Sequence, residues 1–207
     1  MNNYAIPSGF VALSDIAPKV LQELRYATAF NFIGRPVDGY AANRAYLSRE
    51  AADALRAASE DAGKQGYLLK VYDGYRPQRA VDHFNRWVLD AADTRMKKWF
   101  YPDVEKADLY ALDFLGRRSS HSRGSAVDLT LFDMLEGRDA DMGGPFDFFG
   151  PISHFHCDIL TSAQAERRAL LRQIMTERGF APLESEWWHF RLIDEPFPDT
   201  WFDFVII

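Results

Sequence analysis

Two histidines, one aspartate and one glutamate have residue types and spacings that suit a metal-assisted hydrolysis. His121 and Asp128 are separated by six residues, and Glu186 and His189 follow much later in the chain. Two imidazoles and one carboxylate form a ligand set that holds a catalytic zinc ion while a fourth position stays open to water. Glu186 stands beside the last ligand, where a general base is needed. These four residues therefore predict a catalytic site with one Zn²⁺ per chain.

Each half of this set also has a purely structural interpretation. His121 and Asp128 alone could serve a loop hydrogen bond and a turn cap, because a His-x6-Asp pair is a weak signal. The Glu186 to His189 segment could be an aromatic core strand with Glu186 in a salt bridge at its edge. Positions three apart face opposite sides of a regular strand, so joint action of Glu186 and His189 requires a bulge or a turn at Glu186. We predict such an irregularity.

The alternation of apolar and polar residues predicts how His121 and Asp128 meet. Residues 127–131 alternate with the period of a half-buried strand, which places Asp128 on that strand directly after the loop of His121. Gly124 in the loop allows a tight return of the chain. The two side chains can therefore converge.

Other patterns predict an α+β fold, with a small, mainly antiparallel sheet and helices packed on one side. We expect a single domain over residues 1–207 and a long irregular segment at 133–160. The predicted strands lie at 21–26, 67–72, 127–131 and 187–192, and the predicted helices at 48–62, from 78 onwards, within 99–115 and at 161–175. The strand at 67–72 ends in the turn Asp73-Gly74-Tyr75-Arg76-Pro77, and the helix from 78 is predicted to keep His83 near its solvated side.

Composition and charge limit the classes of protein to which the chain can belong. The chain has 207 residues, of which 47% are hydrophobic, so it can bury a substantial core. Its formal net charge of -6 argues against nucleic acid as a partner. The single cysteine, Cys157, excludes an internal disulfide. The sequence predicts no oligomeric state.

The amino-terminal segment, Met1 to Phe10, has no positively charged region and no uninterrupted apolar stretch, so we predict no secretory signal peptide. Apolar runs elsewhere fall well short of the roughly 20 residues of a membrane span. We therefore expect a cytoplasmic location and no membrane partner.

The motifs Ser119-x-His121-x6-Asp128 and Glu186-x-Trp188-His189 resemble the signature of the zinc D-alanyl-D-alanine peptidases. The wider similarity is to the D-alanyl-D-alanine dipeptidases associated with vancomycin resistance and D-Ala-D-Ala recycling. It extends over Leu24 to Ala29, Asn31 to Tyr40, Tyr72 to Pro77, Ser119 to Leu131, Asp141 to Gly143 with Phe146 and Asp147, and Ser185 to Phe190.

This resemblance implies a fold, an activity and a role for eight residues. The implied fold is the small antiparallel sheet with flanking helices of the zinc D-Ala-D-Ala peptidases, which is hedgehog-like, and the implied reaction is hydrolysis of D-Ala-D-Ala to two D-alanines. The implied roles are zinc ligation by His121, Asp128 and His189, general base catalysis by Glu186, contact with the scissile carbonyl by Arg76, contact with the substrate's amino end by Tyr26 and Asp147, and contact with its carboxylate by Ser119.

Two alternatives remain at this level. A zinc carboxypeptidase could remove the terminal D-Ala from peptidoglycan stem peptides, and a non-catalytic, zinc-stabilised domain could bind cell-wall peptides. Asp147 favours a dipeptidase, because a buried carboxylate would pair with the ammonium group that a free dipeptide presents. A second metal at His154 and His156 is not expected, because no further donors are spaced to complete a site.

Overall fold

The structure, a computed structural model, describes residues 5–207. Residues 1–4, on which the signal-peptide prediction rests in part, lie outside this range. The strands are β1 (Phe10–Ala12), β2 (Leu21–Gln22), β3 (Tyr46–Ser48), β4 (Tyr67–Asp73), β5 (Ala126–Asp133), β6 (Arg138–Asp139), β7 (Phe180–Leu183) and β8 (Glu186–Leu192). The α-helices are α1 (Leu13–Ile16), α2 (Arg49–Lys64), α3 (Gln78–Leu89), α4 (Lys97–Phe100) and α5 (Ser162–Thr176), and 3-10 helices lie at Arg25–Ala27, Lys106–Asp108, Ser120–Arg123 and Pro151–Ser153.

A six-stranded sheet forms the centre of the fold within residues 5–207. Its order is β2-β4-β5-β8-β7, and β6 pairs with β5 outside this path. The pair β2 and β4 is parallel, whereas the other pairs are antiparallel. The predicted α+β class with a mainly antiparallel sheet is therefore confirmed.

Strand β5 lies in the middle of this sheet and is covered on both faces. Val127, Leu129 and Leu131 are fully buried on one face, and Asp128 and Thr130 are almost as buried on the other. Because both faces exclude water, polar side chains on β5 need partners inside the protein. The site described below supplies those partners.

The two long helices α2 and α5, both predicted from the sequence, contact each other and the sheet. Ser48 caps the amino terminus of α2, and its side chain accepts a hydrogen bond from the Ala51 amide at 3.4 Å. Its buried stripe repeats every three or four residues and includes Leu55, which is fully buried. Helix α5 begins with a capping box formed by Thr161 and Gln164, also as predicted.

The predicted strand at 21–26 is wrong beyond Gln22. The amide of Leu24 donates to the side chain of Asn43 at 2.7 Å and not to a neighbouring strand. The chain then turns into the 3-10 helix that contains Tyr26. Leu24 and Tyr26 are both buried, so the chain stays packed against the core after it leaves the strand.

His83 does not lie on a solvated face of α3, contrary to the prediction. It is only 9% exposed, and its Nδ1 accepts a hydrogen bond from the Asp38 amide at 3.1 Å. The loop that contains Asp38 covers this side of the helix. Helical periodicity alone does not reveal such a tertiary contact.

None of the helices in the described part of the chain has both the length and the apolar character needed to cross a membrane.

Replacing Leu55 by alanine tests the packing of α2 on the sheet. Because Leu55 is fully buried, we expect Leu55→Ala to lower the free energy of unfolding by about 2–5 kcal/mol. Urea denaturation monitored by circular dichroism measures this change. The matched control is Arg56→Ala, which removes an exposed side chain and should change stability by no more than about 0.5 kcal/mol. Equal effects of the two substitutions would contradict this packing.

Candidate metal centre and active site

Cross-strand pairing brings two of the predicted site residues together. Asp128 on β5 is the direct partner of His189 on β8, and on its other side it pairs with Asp73 at the end of β4. Directly paired residues project from the same face of a sheet. Three acidic or imidazole side chains from adjacent strands therefore meet at one point.

His121 reaches the same point from the 3-10 helix that precedes β5. Gly124 ends this helix with a φ of 84° in the left-handed region. A Cβ atom at this position would collide with the ring of Phe10. Only glycine satisfies both conditions without strain, so the tight return predicted at Gly124 is present.

The predicted irregularity at Glu186 is present in the pairing of β7 with β8. Pro182 pairs with Phe190, but the next residue, Leu183, pairs with Glu186. Residues 187–189 therefore form an insertion opposite β7. Because of this insertion, Glu186 and His189 can approach one cavity although they are three positions apart.

The possible ligand atoms of His121, Asp128 and His189 all lie within 4.8 Å of one another. Nδ1 of His189 is 2.9 Å from Oδ1 of Asp128 and 3.1 Å from Nε2 of His121. Nε2 of His121 is 3.2 Å from Oδ2 of Asp128. In the described part of the chain, this is the one group of three or more such side chains, and His154 and His156 are not members of it.

Hydrogen bonds alone do not satisfy this arrangement. Nδ1 of His121 lies 2.7 Å from the carbonyl oxygen of Gly74, so this nitrogen carries a proton and donates it. In the neutral imidazole, Nε2 then presents a lone pair to a carboxylate oxygen. Nδ1 of His189 faces both Asp128 and Nε2 of His121, although this nitrogen has either one proton or one lone pair. A shared cation would satisfy all three side chains.

Burial and mutual charge shift the pKa values of the site carboxylates. Burial raises the pKa of Glu186 to about 7, and the positive charge of His189 opposes this shift only in part. Burial also raises the pKa of Asp147 well above its usual range, and the nearby charge of Asp128 adds to the effect. For Asp128, burial acts in the same direction, but the imidazoles of His121 and His189 outweigh it and lower the pKa. Asp128 is therefore ionised.

Arg76 lies between several of these groups. Its Nε donates to Oδ2 of Asp73 at 2.8 Å, and its Nη2 lies 3.4 Å from Oδ2 of Asp128. Its guanidinium carbon lies 5.0 Å from the centre of the Tyr26 ring, where a cation–π contact is favourable. Nη1 lies 3.5 Å from Oγ of Ser119. The guanidinium is thus fixed at the wall of the site.

Tyr26 and Asp147 form a second polar pair in the site. The Tyr26 hydroxyl donates to Oδ2 of Asp147 at 2.8 Å, although the two residues are far apart in the sequence. Asp147 is 6% exposed and has a φ of 61°, which is unusual for a residue other than glycine. This conformation persists only where the surrounding structure holds it.

A cavity of about 190 Å³ connects these groups. It is smaller than the roughly 300–1,000 Å³ of sites for drug-sized ligands, so it suits a small molecule. Glu186 keeps 22% of its side chain exposed, and its Oε2 lies 3.9 Å from Nδ1 of His189. All eight residues singled out in the sequence line this cavity, namely Tyr26, Arg76, Ser119, His121, Asp128, Asp147, Glu186 and His189.

Sequence reasoning missed two residues that support the site. Asp73 is fully buried and binds Arg76, and the Tyr40 hydroxyl donates to Oδ1 of Asp73 at 2.6 Å. Asp73 stood in a segment interpreted as a turn, and an aspartate before glycine is common in turns. Its position three residues before Arg76 was the one sequence feature that could have indicated an ion pair between the two residues.

Comparisons with known proteins agree over nearly the whole chain. A family model described as D-ala-D-ala dipeptidase matches residues 7–207. The D-alanyl-D-alanine dipeptidase of Enterococcus faecalis is 43% identical over 199 residues, which cover 96% of this chain and 98% of the relative. The Streptomyces coelicolor enzyme of the same name is 44% identical over 197 residues, or 95% of this chain and 98% of the relative.

Two further similarities are weaker. The D-alanyl-D-alanine dipeptidase of Escherichia coli K12 is 37% identical over 182 residues, which cover 88% of this chain and 83% of the relative. A solved structure of the LdcB LD-carboxypeptidase is 18% identical and covers 94% of this chain and 72% of that chain, with a TM-score of 0.47. The latter similarity is too low to bear on function.

Replacing Asp128 by asparagine tests the candidate metal centre. We expect purified Asp128→Asn to bind divalent metal more than about 100-fold more weakly, because a neutral amide replaces the central anionic donor. Metal analysis after dialysis and a calorimetric titration measure the difference. Asp133→Asn, at the far end of the same strand, is the matched control and should bind metal normally. Unchanged binding by Asp128→Asn would rule out this centre.

Proposed function

This chain belongs to the D-Ala-D-Ala dipeptidase family, and we propose that it hydrolyses free D-alanyl-D-alanine to two D-alanines with one bound Zn²⁺. The observation that carries the proposal is the meeting of a His-Asp-His donor set, Glu186 and the Tyr26–Asp147 pair in one small cavity. The full-length similarity to D-alanyl-D-alanine dipeptidases supports the same substrate. A cytoplasmic location, expected from the sequence, stays a prediction.

The donor set fits zinc. A tetrahedral ion with bonds of 2.0–2.1 Å to nitrogen and oxygen separates its ligand atoms by about 3.3 Å. The corresponding distances among His121, Asp128 and His189 are 2.9, 3.1 and 3.2 Å. The bond from His121 to the Gly74 carbonyl fixes the tautomer that leaves Nε2 free to coordinate, as outer partners of zinc-binding histidines commonly do.

We assign the general base to Glu186. When bound, zinc supplies polarisation of the scissile carbonyl and a lower pKa for the attacking water. The Glu186 carboxylate lies beside His189 and remains partly exposed to the cavity. From this position it would take a proton from the attacking water and deliver it to the departing amine. One side chain thus serves as base and then as acid.

We assign stabilisation of the developing negative charge to Arg76. Its guanidinium is always charged, and Asp73 and the Tyr26 ring hold it at the cavity wall. A donor fixed before the reaction stabilises a new oxyanion without reorganisation during the step. Such a donor typically contributes about 3 kcal/mol to the transition state.

The two ends of the dipeptide would bind on either side of this centre. Tyr26 and Asp147 offer a hydroxyl and a buried carboxylate to the ammonium group, which would supply the positive charge that Asp147 otherwise lacks. We place the substrate carboxylate near Ser119, which lines the same cavity. A longer peptide has an amide in place of the ammonium group and would leave Asp147 unpaired.

Replacing Glu186 by glutamine separates metal binding from turnover. We expect Glu186→Gln to keep one zinc per chain and to lose roughly 10²- to 10⁴-fold in kcat, because the amide accepts no proton. Metal analysis and release of D-alanine measure the two properties. The control is Glu184→Gln, two residues before Glu186, which changes an exposed carboxylate that is paired with Arg172. Normal turnover by Glu186→Gln would show that another group is the base.

A substrate panel tests the dipeptidase assignment against its alternatives. We expect the wild type to cleave D-Ala-D-Ala about 10⁴-fold more efficiently than N-acetyl-D-Ala-D-Ala or a stem pentapeptide, because only the free dipeptide pairs with Asp147. Asp147→Asn should remove most of this preference. Asp158→Asn, an exposed change later in the same irregular segment, is the control. Cleavage of the pentapeptide alone would indicate a carboxypeptidase, and binding without cleavage would indicate a cell-wall peptide-binding domain.

A further inference from the structure

Asp147 lies in an irregular segment, residues 142–154, which we call the Asp147 loop. Its regular structure is limited to the 3-10 turn at Pro151–Ser153. It nevertheless holds Asp147 buried, with a φ of 61° that favours glycine over aspartate. Contacts from outside the loop must therefore maintain this conformation.

Aromatic contacts hold the middle of the Asp147 loop. The Phe146 ring stacks on Tyr72 with centres 4.9 Å apart. The Phe149 amide donates to the carbonyl oxygen of Phe100 at 2.7 Å, and the Phe149 ring is buried. These contacts fix Phe146, directly before Asp147, and Phe149, two residues after it, but they do not reach the ends of the loop.

A single buried side chain joins both ends of the Asp147 loop. Arg168, on α5, is 1% exposed, and its Nε donates to the Met142 carbonyl at 2.7 Å. Its Nη1 and Nη2 donate to the carbonyls of His154 at 2.6 Å and Ile152 at 2.8 Å. One guanidinium thus binds the first residue of the loop and two residues at its end.

In the part of the chain that the structure describes, Arg168 forms no salt bridge that would explain its burial. Burial lowers its pKa to about 10, and the charge of Asp141, which forms no ion pair with it, opposes this shift only in part. Carbonyl dipoles therefore take the place of a counter-ion. A planar fork of five N–H donors spread over three nitrogens matches three separate carbonyls, whereas the three donors of an ammonium group radiate from one compact atom.

We propose that Arg168 is a positioning residue for substrate selection, which closes the Asp147 loop and thereby aims the Asp147 carboxylate at the ammonium group of the dipeptide. This inference rests on the proposed dipeptidase function. Arg168 does not line the cavity, so it acts through the loop and touches no substrate. Without it, the ends of the loop separate and the left-handed conformation at Asp147 relaxes.

A double-mutant cycle tests this role. We compare kcat/KM for D-Ala-D-Ala in the wild type, Arg168→Lys, Asp147→Asn and the double variant, each normalised to bound zinc. We expect Arg168→Lys to lower kcat/KM at least tenfold, mainly through KM, in the wild-type background. In the Asp147→Asn background the loss should be less than threefold, because the group that Arg168 positions is already absent.

The cycle separates positioning from a general loss of structure. A merely structural role lowers kcat/KM by the same factor in both backgrounds, so equal losses would overturn the inference. Arg178→Lys, an exposed change just after α5, is the matched control and should leave kcat/KM unchanged. If Arg168→Lys does not fold, Arg168→Gln, which keeps amide donors and removes the buried charge, serves in the same cycle.

The same cycle also distinguishes this inference from the proposed function. A wild type that does not cleave D-Ala-D-Ala overturns the proposed function itself. A cleaving wild type whose rate is unchanged by Asp147→Asn overturns the amine contact and the role of Arg168 together. A large Asp147→Asn effect with additive losses overturns only the positioning role of Arg168.

Discussion

The pairing of Asp128 with His189 across two adjacent strands is the constraint on which the site depends. It fixes the distance between a carboxylate and an imidazole through the hydrogen bonds of a sheet that is covered on both faces. The glycine turn before β5 adds His121, and the insertion in β8 adds Glu186. Rigid elements therefore supply the geometry, as precise catalytic sites require.

The second constraint is the balance of buried charge. Asp73, Asp128 and Asp147 lie within a small volume, where unpaired carboxylates are unfavourable. Arg76 compensates Asp73 directly and Asp128 in part, and the imidazoles compensate Asp128 further. Among residues 5–207, the Tyr26 hydroxyl is the one hydrogen-bond partner of the Asp147 side chain, and it brings no positive charge. This imbalance is consistent with a substrate that brings its own positive charge.

Periodicity and short motifs predicted the strands and helices that carry the donors, together with the irregularity near Glu186. These patterns gave wrong predictions where contacts between distant residues determine where a strand ends or whether a side chain is buried. The side chain of Asn43 ends β2 early, and the Asp38 loop covers His83. The sequence did not predict the role of Asp73, because its partner Tyr40 is distant in the sequence. It did not predict that of Arg168, because Arg168 binds main-chain carbonyls, which every residue type has.

In the proposed mechanism, hydrolysis and the choice of substrate length depend on different kinds of structure. The His-Asp-His donor set and the proposed base lie on the sheet and its connections, whereas the proposed amine contact lies on a loop whose ends are bound by one arginine. Insertions and deletions in such a loop leave the sheet intact. During evolution, a shortened or re-routed loop could open the amino side of the cavity to longer peptides, so that exopeptidases of different reach can descend from one catalytic framework.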